Sequence, residues 1–85
     1  FRQRPKRILF IFDKEDIHPI HSIFVFFTFD AVYLNEDMKI VEIFKNIKPF
    51  TLIIRPTKKA KYLLEMEKGS VKNFKLHKKD RIKTR

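Results

Sequence analysis

Cysteine and tryptophan are missing from these 85 residues, and glycine occurs once, at Gly69. The lack of cysteine rules out disulfides, thiolate zinc sites and thiol catalysis, and fits a reducing compartment. A single glycine excludes a glycine-rich phosphate loop and a flexible linker. Apolar runs of membrane-spanning length are lacking too. The longest, at 23–34, is well short of the roughly 20 residues a bilayer needs, and Asp30 interrupts it. The opening FRQRPKR is basic but is followed by only ILFIF before Asp13, so it is not a targeting segment. The expectation is a cytoplasmic, non-membrane protein. Because the chain begins with Phe, an upstream stretch is expected to be missing.

What is abundant is phenylalanine and positive charge. The ten phenylalanines can each bury roughly 150–250 Å², a useful supplement in a chain sized for one small domain over residues 1–85. The net charge of +10 belongs to the two ends: residues 1–7 hold +4, residues 8–54 hold −3 and residues 55–85 hold +9. Such a field favours encounter with polyanions without specifying one. A Lys-, Ile- and Phe-rich chain is also what a thermophile with AT-rich DNA yields, its lysines spread over solvated faces. Phenylalanines 10, 12, 24, 26, 27 and 29 sit inside apolar runs while the bases cluster at the ends. That separation points to a core with a solvated shell rather than to a stacking platform for bases. Nucleic acid is therefore the alternative partner, through Arg2, Arg4, Lys58, Lys59, Lys78 and Lys79.

Local patterns predict a mostly β domain, a small barrel or jelly-roll-like sandwich of about six short strands with one short helix. ILFIF at 8–12 reads as a strand closed by a DKED turn. The apolar run at 23–34 and MKIVEIF at 38–44 read as a hairpin about the NED turn at 35–37. Pro49 breaks the chain, and TLII at 51–54 reads as another short strand. In AKYLLEME, Ala60, Tyr62, Leu64 and Met66 alternate with Lys61, Leu63, Glu65 and Glu67. Ser70 is the expected cap of a helical turn that packs Val71 and Phe74 inward, and DRIK closes the sheet.

Three phrases in order, RILFIFD, FTFDAVYLNEDMKIVEIFKNIKPF and AKYLLEMEKGSVKNFKLHKKDRI, resemble the "GMLF-F", "PLD-LF-D---VV-I--N--P" and "A-YVLEL-AG----GI--GD-I" segments of domain-of-unknown-function family 192, also called UPF 0127. The opening FR matches the end of that family's "GLMFR" phrase. The resemblance implies a compact, mostly β domain with no established activity, in a short archaeal-type form whose first strand or helix is absent here. Departures are Thr28 in place of the proline of "PLD", His21 where many members have Trp, and Lys79 at the glycine of "GD".

The resemblance puts Asp30 at the acidic position of "PLD". A carboxylate in an apolar run needs partners, because burying it alone costs several kcal/mol. Two readings stay open: a cap for backbone N–H groups freed at a bend near Thr28, with Arg55, Lys61 or a histidine as partner, or a ligand contact in a cleft with His21 and Arg55. His18 and His21 flank Pro19 without a third metal ligand, and Ser22 and Ser70 lack a triad context. No metal and no cofactor are expected. The expectation is a noncatalytic domain, monomeric or weakly dimeric, that binds a small ligand or a protein; an unrecognised enzyme is the last alternative.

Overall fold

The computed structural model describes residues 7–19, 28–48 and 55–82. Within them the chain forms β1 (Arg7–Asp16), β2 (Phe29–Leu34), β3 (Ile40–Ile47), β4 (Ala60–Glu67) and the helical turn α1 (Ser70–Asn73). The domain is mostly β with one short helix, as predicted. The described strands form one open antiparallel sheet in the order β1-β4-β2-β3. Residues 20–27 and 49–54, where further strand was expected, lie outside the described residues, as do His21, Arg2 and Arg4.

β2 is the centre of the sheet, flanked by β3 and β4 and buried along its whole length. That explains why its sequence does not alternate: both faces meet core. On one face Phe29, Ala31 and Tyr33 pack with Ile47, Ala60 and Leu63, edged by Phe12, Val41 and Phe44. On the other, Val32 and Leu34 pack with Ile40, Met66 and Val71, edged by Tyr62, Leu64, Leu76 and Ile82 among others. The alternation read in β4 holds for Tyr62, Leu64 and Met66 against Leu63. Ala60 departs from it, joining the Leu63 cluster next to the register shift between Ile11 and Asp16 of β1. DKED, expected as a turn, is the end of β1.

The NED turn is built by Asn35. Its side-chain oxygen accepts from the N–H groups of Asp37 (2.9 Å) and Lys39 (3.1 Å), and Met38 takes a φ of 65°. An Asx side chain holding the backbone two residues on is the reason this residue type marks turns. A second irregularity lies in β3: Phe29 and Ala31 pair with Ile47 and Phe44, so β3 carries one extra residue there, and Asn46 has a φ of 57°. This is a β-bulge, which leaves a backbone N–H out of the ladder.

After β4 the chain turns through Gly69 (φ 86°) into α1. Ser70 is not the cap: Gly69 holds that position, with no side-chain capping bond of its own. Val71 packs inward as expected, whereas Phe74 is 61 % exposed. The final segment lies beside the start of β3. There Ile40 N–H donates to Asp80 O (2.7 Å), Lys79 N–H to Ile40 O (2.7 Å) and Ile82 N–H to Met38 O (2.9 Å), with Lys39 bridged to Arg81. Residues 80–82 thus lie against the sheet as expected for DRIK, whose last residue, Lys83, is outside the described residues.

Burial separates two leucines of similar sequence context. Leu34 is fully buried while Leu9 on β1 is 44 % exposed. Leu34→Ala is expected to lower unfolding free energy by about 2–5 kcal/mol, and Leu9→Ala by under about 1 kcal/mol, both read by urea denaturation.

Candidate functional site

Asp30 is 1 % exposed, and both of its oxygens are occupied. Oδ1 accepts from the N–H of Asn46 (2.9 Å) at the β3 bulge, and Oδ2 from the N–H of Val71 (3.0 Å) in the first turn of α1. The bulge frees one amide and the helix start frees another; glycine at the cap position has no oxygen to offer the second. Asp30 satisfies both from the middle strand. The partners are backbone amides of other elements rather than Arg55, Lys61 or a histidine, and the irregularity capped is in β3 rather than near Thr28. Arg55 is exposed. Lys61 donates instead to Asp13 O (2.9 Å).

His18 also has a local role. Its ring stacks on Phe12 (centroids 3.7 Å apart), a ring nitrogen lies 3.1 Å from Lys14 O, and its carbonyl accepts from the hydroxyl of Tyr33. Burial, and then the carboxylates of Glu42 and Glu65, push the Tyr33 phenol well above the usual range. Glu65, half-buried on the same face of the sheet, is itself pushed up by burial. Among the described residues no three His, Asp or Glu side chains gather as a metal site, and no helix is long and apolar enough to cross a membrane.

The sequence-predicted lysines divide. Lys58, Lys78 and Lys79 line one cleft of about 370 Å³ with Ile40 and Val41. Lys59 is not part of it; its charge is the smallest of several influences on Asp16, whose carboxyl is held low chiefly by the N–H of Ile17. Two segments bring the three lysines together. Glu42 holds the loop before β4, accepting from Thr57 N–H (2.9 Å), Thr57 Oγ1 (3.3 Å) and Lys58 N–H (3.2 Å). The second is the turn His77–Asp80, closed by Asp80 N–H to His77 O (3.1 Å) and by His77 N–H to Asp80 Oδ2 (2.8 Å), and docked on Ile40. Lys79 is in the third position of that turn with a φ of 75°, where glycine is the usual residue. None of the three ammonium groups has an ion pair among the described residues. Ile40 and Val41 were missed as site residues by sequence reasoning, since a strand start reads as core and gives no signal of a concavity beside it.

The profile of the DUF192 family, described as "Uncharacterized ACR", matches residues 3–84, nearly the whole chain. The chain belongs to the DUF192 family. No curated protein matches it significantly. Among solved structures, one from Sinorhizobium meliloti 1021, described as a "putative transcription regulator", superposes with a TM-score of 0.86 at 25% identity over 95% of this chain and 65% of that one. Another, a protein of unknown function from Novosphingobium aromaticivorans DSM 12444, superposes with a TM-score of 0.87 at 13% identity over 98% and 61%. This DUF192 chain thus spans less than two thirds of the length of either neighbour. Lys79 stands at the glycine of the family's "GD" phrase and keeps the positive φ that suits glycine.

Two outcomes follow from the acids. Asp30→Asn leaves at least one buried amide without its carboxylate acceptor, and is expected to cost about 2–3 kcal/mol, with faster hydrogen exchange at the amides of Asn46 and Val71. Glu65→Gln acts oppositely. A carboxyl whose folded pKa is raised binds protons more readily folded than unfolded, so its charged form subtracts stability as pH rises through and above its unfolded pKa. The variant is expected to melt higher than wild type at pH 7, with the difference vanishing as pH falls below about 4.

Proposed function

We propose that this protein is a noncatalytic binding module, cytoplasmic and monomeric or weakly dimeric, whose ligand or partner enters the cleft of Ile40, Val41, Lys58, Lys78 and Lys79. The observation that carries this reading is a mostly apolar concavity lined by three lysines that have no ion pair among the described residues. Small-ligand sites have this composition, an apolar wall with a few convergent polar groups. Among the described residues that line the cleft there is no carboxylate, histidine or hydroxyl to act as acid, base or nucleophile. Lysine serves as a nucleophile when it is buried in apolar surroundings, and these three are exposed. Binding is placed here rather than beside Asp30, because both Asp30 oxygens are already bonded to amides.

Polyanion binding is the second reading. The convergence of three lysines favours it, as does the description of the Sinorhizobium meliloti neighbour as a "putative transcription regulator". Against it, no aromatic residue is among the described residues that line the cleft, and exposed Phe74 lies by a different hollow with Arg7, Glu67 and Ser70.

A fragment screen on ¹⁵N-labelled protein separates the two. The module reading expects saturable shifts centred on the amides of Ile40, Val41, Lys58 and Lys79; a screen with no hits there ends it. Fluorescent DNA and RNA oligonucleotides test the alternative. That reading expects binding at 50 mM salt that weakens at least tenfold by 200 mM, as displaced counterions require.

A further inference from the structure

We infer that the cleft recognises a soluble phosphate monoester with a short apolar body, and that Lys79 is the residue that sets this preference. The inference rests on the binding-module reading and names its ligand class. Lysine side chains offer donors and no acceptor, so three of them lining one cleft favour a ligand rich in acceptors and negative in charge. A phosphate monoester carries close to two negative charges at neutral pH and three strong acceptor oxygens, which suits three ammonium groups better than a single carboxylate does. The remaining wall, from Ile40 and Val41, has nothing to offer an anion and favours an apolar body beside it. A volume of about 370 Å³ is of the size that takes a small organic molecule.

The frame of the cleft is built before any ligand arrives. The turn bearing Lys78 and Lys79 is held to Ile40 by two 2.7 Å hydrogen bonds, and the loop bearing Lys58 by three bonds to Glu42. The two nearby carboxylates, Glu42 and Asp80, are turned to backbone amides and so compete weakly for the ammonium groups. A fixed backbone reduces the ordering cost of binding. Lys79 adds the sharper indication. A long β-carbon-bearing residue at φ 75° is strained where glycine would not be, and strain of this kind gathers at functional positions. Here the strained residue is one that lines the cleft.

The probes are phenyl phosphate, inorganic phosphate and benzyl alcohol, titrated by NMR and calorimetry. Phenyl phosphate is expected to shift the cleft amides and to bind at least several-fold more tightly than inorganic phosphate, with benzyl alcohol weaker than both. Lys79→Gly is expected to weaken phenyl phosphate about two- to fivefold while its Tm stays level or rises, since the strain is relieved. Lys58→Gln is expected to weaken it similarly, and Lys72→Gln, outside the cleft, to leave it unchanged. A merely structural Lys79 would raise Tm without touching affinity, and that result overturns the assignment. Equal affinity for inorganic and phenyl phosphate overturns the apolar-body claim. Binding to phosphatidic-acid vesicles without binding to phenyl phosphate overturns the soluble source. Cleft shifts with uncharged fragments but not with phenyl phosphate overturn the ligand class and leave the module reading standing; no shifts with any compound remove both.

Discussion

A buried carboxylate holds three elements of this domain to one another. Asp30 lies in the central strand, and its two oxygens take up amides from the β3 bulge and from the start of α1. Without that acceptor the Val71 amide would be a buried donor lacking a partner, and the part-buried Asn46 amide would lose its acceptor too; buried donors of this kind are rare because each costs about 1–3 kcal/mol. The charge is tolerable for the same reason, since two charge-assisted hydrogen bonds replace its water. One side chain therefore ties both the β3 bulge and the start of α1 to the central strand.

That return has consequences beyond stability. Once α1 is docked, Leu76 and Ile82 reach the cluster of Val32, Leu34, Ile40 and Met66, and the turn between them rests on the first residue of β3. The same strand supplies Glu42, which holds the loop before β4. Lysines some twenty positions apart in the chain thereby come to edge a single cleft. The anchor and the cleft share β3 but no side chains, which separates what keeps the sheet together from what it presents to solvent.

Much of the architecture was legible in local pattern. The NED turn, the β2–β3 hairpin, the strand at 60–67 and the inward Val71 all follow from turn chemistry and periodicity. Elements at the margins were read less well. Ser70 has the right chemistry for a cap, yet Gly69 takes that place because the chain needs a positive φ to leave β4. Phe74 carries an apolar side chain but follows the end of the helical turn and stays exposed. DKED is charged like a turn and yet continues β1, rejoining β4 at Asp16 after a register shift.

By itself the sequence determined that the domain is mostly β, that its middle is apolar and its ends basic, and that a lone acid in that middle needs partners. These depend on residue type and spacing, which the linear chain already contains. Only the tertiary structure decided who those partners are, and which three of the predicted lysines meet over Ile40 and Val41. Backbone amides look alike in every sequence, and a concavity exists only between segments that folding brings together; neither leaves a mark in the order of the residues.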